Sequence, residues 1–280
     1  MSKLPLRKQI LSQLVLLLIG AFVLLPIWAL LNISFDGALK GAPVELRFFP
    51  EELSLSAYTR VWEDPAQSLN FLGLLRNSLT VSLGTALLSV IFGMTAAYAF
   101  ARFRFPGQEG GLFTLLVGTL LPPVALMTPL YILLSQIGIR TTLFGLIVVY
   151  ASFTMPFVVW NMRSAFQAIA RELEEAAFLD GATLLTSFWR ITLPLALPSI
   201  GVAALIAFII SYTEFAIGWL FVETSSNVTL AMAVSGLMGT TRAWSNMAAL
   251  SVLMSIPVVI LFIVLRRYLI SGLLIGAIEE

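Results

Sequence analysis

The sequence contains no cysteine and no histidine, and it has few charged residues for its length. The absence of cysteine excludes disulfides, thiolate nucleophiles and thiolate metal ligands, and the absence of histidine excludes imidazole ligands and a Ser-His-Asp triad. Charged residues make up 11% of the 280 residues, whereas soluble domains carry about 25%. The net charge of +1 predicts no nucleic-acid partner.

Apolar residues fill the space that charged residues leave, and they make up 59% of the chain. A helix needs about 20 apolar residues to cross the hydrocarbon core, where lipid offers no partner for bare backbone groups. The first apolar run is longer than the roughly 7–15 residues of a signal-peptide core, so we predict a retained anchor rather than a cleaved signal. The sequence predicts a single all-α membrane domain over 1–280 whose six spans lie at about 10–33, 77–101, 110–139, 141–162, 198–222 and 243–265.

The distribution of basic residues predicts the orientation of these spans. Six crossings put both termini on one side, and the side with more Lys and Arg is cytoplasmic. The side of the termini carries Lys3, Arg7, Lys8, Arg102, Arg104, Arg163, Arg171, Arg190, Arg266 and Arg267. The other side carries Lys40, Arg47, Arg60, Arg76, Arg140 and Arg242. We therefore expect a multi-pass protein of the cell (inner) membrane with both termini and the 163–197 connection in the cytoplasm.

This cytoplasmic connection contains the most informative segment of the chain. Residues 164–180 are rich in Ala, Glu, Leu and Gln, which favour helix, and Gly181 predicts the helix end at the C′ position. Leu173, Ala176, Ala177 and Asp180 share one helical face, and the two alanines would let another protein approach the backbone closely. On helix chemistry alone, an amphipathic helix lying on the membrane surface is the simpler interpretation.

The spacing of residues within this connection favours a more specific interpretation. It matches the pattern E-A-A-x3-G-x9-I-x-L-P throughout, and it therefore resembles the EAA loop of binding-protein-dependent ABC importer permeases. The resemblance implies that a coupling site for an ATPase is formed by Glu175, Ala176, Ala177, Asp180, Gly181, Ile191, Leu193 and Pro194.

The resemblance extends over nearly the whole chain. Residues 76–79 read R-N-S-L and residues 96–107 read A-A-Y-A-F-A-R-F-R-F-P-G, which is similar to the maltose-type carbohydrate subgroup of these permeases. Two segments depart from the subgroup. Residues 212–215 read Y-T-E-F where relatives read W-N-E-F, and the tail 272–280 ends in two glutamates where relatives often end in Lys-Gly.

The resemblance implies a type I ABC importer permease with six transmembrane helices and a cytoplasmic coupling helix. In that family the coupling helix lies in a cleft of an ATPase subunit and moves when ATP drives two such subunits together. The implied partners are a second homologous permease subunit, two ATP-binding cassette subunits and an extracytoplasmic solute-binding protein, all at a lipid membrane. None of Lys3, Lys8 and Lys40 follows a G-x-x-x-x-G run, so the chain has no phosphate-binding P-loop. We therefore expect a transporter subunit rather than an enzyme, without a cofactor of its own, and we expect ATP and Mg²⁺ on the partner.

Polar residues within the spans suggest a translocation path. Glu214 is an acid inside the fifth predicted span, where an ionisable group is a functional candidate, although a structural or gating carboxylate is the favoured interpretation. Pro122, Pro123 and Pro129 interrupt the third span, either as a broken helix lining a cavity or as a packing kink. The path residues predicted in this way are Glu214, Tyr212, Pro129 and Tyr131.

A polar loop at 223–242 precedes the last span. In maltose-type relatives this loop reaches into the solute-binding protein. The resemblance therefore implies that the contact to the binding protein is formed by Ser225, Ser226, Asn227, Gly236 and Gly239, as polar and flexible parts of the loop.

Two other functional classes fit the composition less well. An ion-coupled secondary carrier usually needs several ionisable groups within the membrane, and a polytopic membrane enzyme needs convergent catalytic residues that the spans lack. Within the importer class, the resemblance favours a sugar, an oligosaccharide or a polyol as solute, with glycerol-phosphate compounds as the alternative.

Overall fold

The computed structural model describes residues 5–45, 47–65, 69–223, 225–238 and 243–276. Within these ranges the chain is mostly helical, and an antiparallel bridge pairs Asp36 with Leu53. The predicted all-α class is confirmed. The α-helices are α1 (Leu6–Phe35), α2 (Ser56–Glu63), α3 (Phe71–Arg102), α4 (Gln108–Leu120), α5 (Pro123–Gln136), α6 (Leu143–Ala168), α7 (Arg171–Leu179), α8 (Leu184–Ser187), α9 (Leu193–Thr213), α10 (Ala216–Phe221), α11 (Leu230–Gly236) and α12 (Ala243–Gly276).

The chain divides into two compact units. The first comprises the residues up to Phe71 together with Ala233–Ser255, and the second comprises Leu72–Met232 together with the residues from Ile256 onward. The second unit contains the predicted coupling segment and an apolar core. That core is built by α3, α5, α6, α10 and α11, through Val81, Leu134, Leu146, Val149, Tyr150, Ile217, Phe221, Val222 and Met232.

In the part of the chain that the structure describes, five helical stretches are long and apolar enough to cross a membrane, and the pair α4–α5 would be a sixth. The predicted span 110–139 is not one helix, because α4 and α5 meet at an angle of 102°. Pro122 has no backbone N–H to continue the ladder of α4, and Pro123 occupies the first turn of α5, where proline is tolerated. Pro129 lies inside α5 without ending it.

Two further helices end earlier than the sequence predicts. The predicted span 198–222 is interrupted after Thr213, and the short helix α10 follows from Ala216. The predicted loop helix 164–180 is also two helices, because α6 continues to Ala168 and α7 begins at Arg171. In both cases the helix propensity of the residues favours an unbroken helix. Tertiary hydrogen bonds, described below, stabilise the interruption.

Contacts at opposite ends of the second unit show how its helices run. At one end, the C-terminus of α3 meets the segment after α6, since Arg102 Nη2 donates to the Ile169 carbonyl at 3.0 Å. At the other end, Asn77 near the start of α3 donates to the carbonyls of Ser226 and Val228, and Asn227 donates to the Thr141 carbonyl just before α6. The helices α3 and α6 therefore run in the same direction. The chain between them must return across the unit through α4 and α5, which makes this bent pair a broken span rather than a re-entrant loop.

The connection between α5 and α6 is a tight turn over residues 137–142. Gly138 adopts a positive φ of 73°, and the Thr142 side chain caps α6 by accepting from the Gly145 N–H at 3.0 Å. A Cβ on Gly145 would lie 2.2 Å from the Ile139 carbonyl oxygen, so glycine is required for this close approach. The tight turn places Arg140 at the end of the unit opposite to Arg102.

In the first unit, the chain after α1 folds back along that helix. The Asp36–Leu53 bridge closes the loop, with the Gly37 N–H donating to the Glu52 carbonyl at 2.8 Å and the Ser54 N–H donating to the Phe35 carbonyl at 2.9 Å. A Cβ on Gly37 would lie 2.6 Å from the Ser54 Cβ, which explains a glycine there. We call residues 36–54 the return loop, of which Leu46 lies outside the described residues.

Candidate functional site

The helix α7 carries the first half of the predicted coupling segment. Glu172 and Glu174 lie in its first turn, where carboxylates stabilise the positive end of the helix dipole. At its other end, Gly181 has a φ of 86°, as its predicted C′ position requires. The Gly181 N–H donates to the Phe178 carbonyl at 3.0 Å and the Ala182 N–H donates to the Ala177 carbonyl at 2.9 Å. This pair of hydrogen bonds is a Schellman motif, which satisfies the last carbonyls of α7.

One face of α7 is fixed to the transmembrane helices by Glu174. Its Oε1 forms a salt bridge with Arg102 Nε at 3.0 Å, with the two side chains only 7% and 5% exposed. The same carboxylate accepts from Thr192 Oγ1 at 2.6 Å and from Tyr98 Oη at 3.3 Å. Glu174 therefore joins three elements, because Arg102 and Tyr98 belong to α3 and Thr192 immediately precedes α9.

Sequence reasoning missed this role of Glu174. A signal was present in helical periodicity, since Glu174 and the half-buried Ala177 lie three residues apart on one face. A second signal was Arg102 at the end of an apolar span, where a buried guanidinium needs an acidic partner. The sequence does not show that these two residues meet.

The opposite face of α7 is open to solvent. Glu175, Ala176 and Asp180 are exposed, and Leu179 is 91% exposed. The predicted face of Leu173, Ala176, Ala177 and Asp180 is thus largely exposed. A helix with one face held by a buried ion pair and the other free offers a small, polar-edged surface to another protein.

The second half of the segment connects α7 to α9. The Thr183 hydroxyl caps α8 by accepting from the Thr186 N–H at 3.3 Å, and Phe188–Thr192 then form a π-helical turn that passes directly into α9. Phe188 is buried against Tyr98, with ring centroids 4.7 Å apart. Ile191 and Leu193 are half-buried, and Pro194 lies in the first turn of α9 with its ring exposed. The segment is thus continuous with a transmembrane helix.

Glu214 occupies the break between α9 and α10. Its Oε2 accepts from Tyr150 Oη at 2.7 Å, and the carboxylate also accepts from the N–H groups of Ile217 at 3.1 Å and Gly218 at 3.4 Å. The two backbone donors, Ile217 and Gly218, belong to the first turn of α10, where N–H groups have no partner within the helix. The geometry supports a structural role for this side chain, since its acceptor oxygens are engaged within the chain.

The other predicted path residues each contact a different part of the chain. Tyr212 is buried and stacks on Phe208, with ring centroids 5.3 Å apart. The half-buried ring of Tyr131 lies under the Arg140 guanidinium, 4.4 Å from the ring centroid, and Pro129 is exposed on α5. A solute contact for Glu214, Tyr212, Pro129 or Tyr131 stays a prediction.

The first part of the predicted binding-protein contact forms a hydrogen-bonded turn. Ser225–Asn227 form a 3₁₀ turn, in which the Ser226 carbonyl accepts from Asn77 and the Asn227 side chain donates to the Thr141 carbonyl at 2.7 Å. These hydrogen bonds join the turn to α3 and to the connection before α6, and its contact with a binding protein stays a prediction. Gly236 ends α11 and Gly239 lies outside the described residues, as does the acidic tail beyond Gly276.

A salt bridge lies beside this turn. Arg140 Nη1 donates to Glu223 Oε1 at 2.8 Å. This hydrogen bond lowers the pKa of the Glu223 carboxyl below its ordinary value and raises the pKa of the Arg140 guanidinium. The pair ties the start of the 223–228 segment to the turn between α5 and α6.

The part of the chain that the structure describes holds no group of three or more acidic side chains that could bind a metal ion. Since the sequence has no cysteine or histidine, carboxylates are the ionisable ligands that remain.

Comparisons with known proteins agree with this architecture. The family model described as "Binding-protein-dependent transport system inner membrane component" matches residues 89–274. The chain is 30% identical over 257 residues to the "Inner membrane ABC transporter permease protein YcjP" of Escherichia coli (strain K12), with 91% of each chain covered. It is 29% identical over 282 residues to the "Trehalose/maltose transport system permease protein MalG" of Thermococcus litoralis, with 98% of this chain and 99% of that protein covered. Its fold is similar to a chain in the crystal structure of "a bacterial ABC transporter involved in the import of the acidic polysaccharide alginate", with a TM-score of 0.76 and 23% identity over 96% of this chain and 100% of that chain.

Proposed function

The chain belongs to the family of binding-protein-dependent transport system inner membrane components, and from that premise we propose that residues 171–194 are the site through which a partner ATPase moves its transmembrane helices. The protein is a permease subunit of an ABC importer. The observation that carries the proposal is the two-sided environment of α7. Glu174 is buried against α3 and α9, while Glu175 and Ala176 on the same helix are exposed.

The mechanism follows from these contacts. A protein that binds the exposed face of α7 and then moves exerts force on a helix that cannot slide freely, because Glu174 holds it to Arg102 and Thr192. Thr192 precedes α9 without a loop, so the displacement is transmitted into a transmembrane helix. ATP and Mg²⁺ are bound by the partner in this proposal, since the chain itself has no P-loop.

The α7 end of the molecule is the end that would face the ATPase. The positive-inside rule places the α7 end, with Arg102, Arg171 and Arg190, in the cytoplasm together with both termini. A second permease subunit homologous to this one and an extracytoplasmic solute-binding protein complete the transporter. The Arg140–Glu223 end would face that binding protein.

We propose a sugar or oligosaccharide as the solute. Relatives of this chain include one named for trehalose and maltose transport, and the chain covers 99% of its length. Specificity is expected to lie mainly in the solute-binding protein and in the second permease subunit.

The coupling role is tested by Ala176→Trp in the reconstituted transporter. A bulky side chain on the exposed face would block close approach, and loss of a central contact worth about 2 kcal/mol weakens binding roughly 30-fold. Transport and stimulated ATP hydrolysis should fall together, and less ATPase subunit should copurify with the permease.

Ala168→Trp is the matched control, since Ala168 is an exposed alanine at the end of α6. It should transport as the wild type does. Wild-type transport by Ala176→Trp, with the ATPase still bound, would contradict the proposed coupling site.

A further inference from the structure

The return loop is held against the outer part of α1 by side chains of that helix. Trp28 Nε1 donates to the Phe48 carbonyl at 3.0 Å, and Asn32 Nδ2 donates to the Arg47 carbonyl at 2.6 Å. The Phe49 ring also packs edge-on against Trp28, with centroids 6.2 Å apart. The loop therefore turns back from Phe35, at the end of α1, to the level of Trp28.

The position of Trp28 along α1 sets the depth of this contact. The helix rises about 1.5 Å per residue, so the seven residues from Trp28 to Phe35 span about 10 Å. The hydrocarbon core is about 30 Å thick and takes about 20 residues of helix. The last charged residue of α1 is Lys8. A stretch of about 20 residues that begins at Ile10 ends next to Trp28. Trp28, Phe48 and Phe49 therefore lie at the boundary between hydrocarbon and headgroups.

Four apolar side chains of the return loop are largely exposed. Phe48 is 64% exposed and Phe49 is 75% exposed, and Val44 and Leu53 are exposed more fully. The helix α1 is itself exposed from Leu6 to Ile27, apart from a half-buried Gly20, and from Leu14 onward it is apolar on all sides over that length. A helix that is apolar on all sides is suited to contact with lipid. The exposed rings of Phe48 and Phe49 extend this apolar surface toward the outer end of α1.

Charged residues of the same loop favour an interfacial position. Arg47 pairs with Glu51, and both side chains are about half-exposed, so the polar part of the loop remains in contact with water. Tryptophan is enriched at the membrane–water interface, and segments that lie in the interface carry Phe beside charged groups. The loop carries four acidic side chains against two basic ones, which gives it no electrostatic attraction to anionic lipids: Asp36, Glu45, Glu51 and Glu52 against Lys40 and Arg47.

We propose that the return loop is a membrane-interface anchor, in which Phe48 and Phe49, with Val44 beside them, insert among the acyl chains next to Trp28. The occupant of this surface is lipid, and it is recognised through acyl chains rather than through headgroup charge. The anchor fixes the depth of the outer end of α1. It is independent of the coupling site, because all of its residues lie in the first unit.

The absence of native cysteine makes a direct test possible. Phe49→Cys and Val44→Cys are each labelled with an environment-sensitive fluorophore in the complete transporter, in phosphatidylcholine nanodiscs. The cysteine-free chain in the same complex gives the background. Glu52→Cys is the matched control, since it is an exposed position of the same loop with a charged side chain. Val44→Cys removes no ring contact, so it reports on the surface even if Phe49→Cys disturbs Trp28.

Labels at Phe49 and Val44 should emit at shorter wavelength than the label at Glu52. Their emission should be roughly halved when the lipid carries bromine on its acyl chains, and adding anionic lipid should not change this. Equal quenching of all three labels by aqueous iodide, with no effect of brominated lipid, would show a solvent-exposed loop and overturn the anchor. Labels shielded from both quenchers would show that the second permease subunit covers the loop. A change seen only on addition of the solute-binding protein would assign the surface to that protein. Either result overturns the proposal.

Discussion

At the scale of single residues, two adjacent glutamates of α7 have opposite surroundings. Glu174 is buried in a salt bridge with Arg102, and Glu175 points to solvent. A buried ion pair contributes little net stability relative to apolar packing, but removing one partner leaves an unpaired charge away from water. Glu174 is therefore best understood as a residue that fixes the position of α7 rather than one that contacts a partner protein.

The Arg102–Glu174 pair gives a prediction for stability. Glu174→Gln alone should lower the free energy of unfolding by about 3–5 kcal/mol, because Arg102 is left buried without its counter-charge. Glu174→Gln combined with Arg102→Met should cost less than the sum of the single variants, since the charge is removed with its partner. Denaturation of the purified permease in detergent measures both. Glu172→Gln, at an exposed position of the same helix, should stay within about 0.5 kcal/mol of the wild type. Additive single effects would show that the two side chains are not coupled.

The Arg140–Glu223 pair gives a prediction for pH dependence. The hydrogen bond from Arg140 lowers the pKa of Glu223 in the folded protein, so the pair stabilises the fold above the ordinary glutamate pKa of about 4.3. This contribution is lost as the pH falls through the lowered value. The melting temperature of Glu223→Gln should therefore lie below that of the wild type at pH 7, and the difference should disappear in strong acid. A difference that persists unchanged at acid pH would mean that the carboxylate charge is not its source.

At the scale of helices, the end of α7 depends on one backbone conformation. Gly181 has a φ of 86°, and a Cβ added there would meet no atom within 4 Å, so any penalty comes from the backbone alone. Gly181→Val should destabilise the end of α7 by about 1–2 kcal/mol, while Gly181→Asn should cost less because asparagine visits this region more readily. Faster amide exchange at 177–182 in the valine variant, with the asparagine variant close to wild type, is the expected measurement. Equal exchange in both variants would contradict the argument.

The sequence predicts the presence of the long helices better than it predicts where they break and what holds them in place. The long apolar runs predict helices because lipid leaves the backbone no alternative, and the glycine at 181 predicts a helix end by local chemistry. The break at Glu214 depends on Tyr150, which lies 64 residues earlier in the chain, and the anchoring of Glu174 depends on Arg102, which lies 72 residues earlier. Such breaks and anchors are properties of tertiary contacts, and a pattern read along one helix does not contain them. Pro122 and Pro123 do predict an interruption, although not a bend of 102°.

At the scale of the whole molecule, the direction of the helices makes a topological prediction. If the bent pair α4–α5 crosses the membrane, its two ends lie on opposite sides. Single cysteines at the exposed positions Glu109 and Ile137 should therefore react with a membrane-impermeant maleimide from opposite sides, Glu109→Cys from the cytoplasm and Ile137→Cys from outside. The cysteine-free wild type supplies the blank. Labelling of both positions from the same side would indicate a re-entrant loop and would place α6 in the opposite direction.

The π-helical turn Phe188–Thr192 has a mechanical consequence. Its closing hydrogen bond joins the Leu193 N–H to the Phe188 carbonyl, five residues back, so the turn holds one residue more than an α-helical turn. If the turn tightened to an α-helical one, the helix beyond it would shift by one residue, which is about 1.5 Å along the axis and about 100° around it. A displacement of α7 can thus be converted into a discrete rotation and translation of α9 without melting the helix.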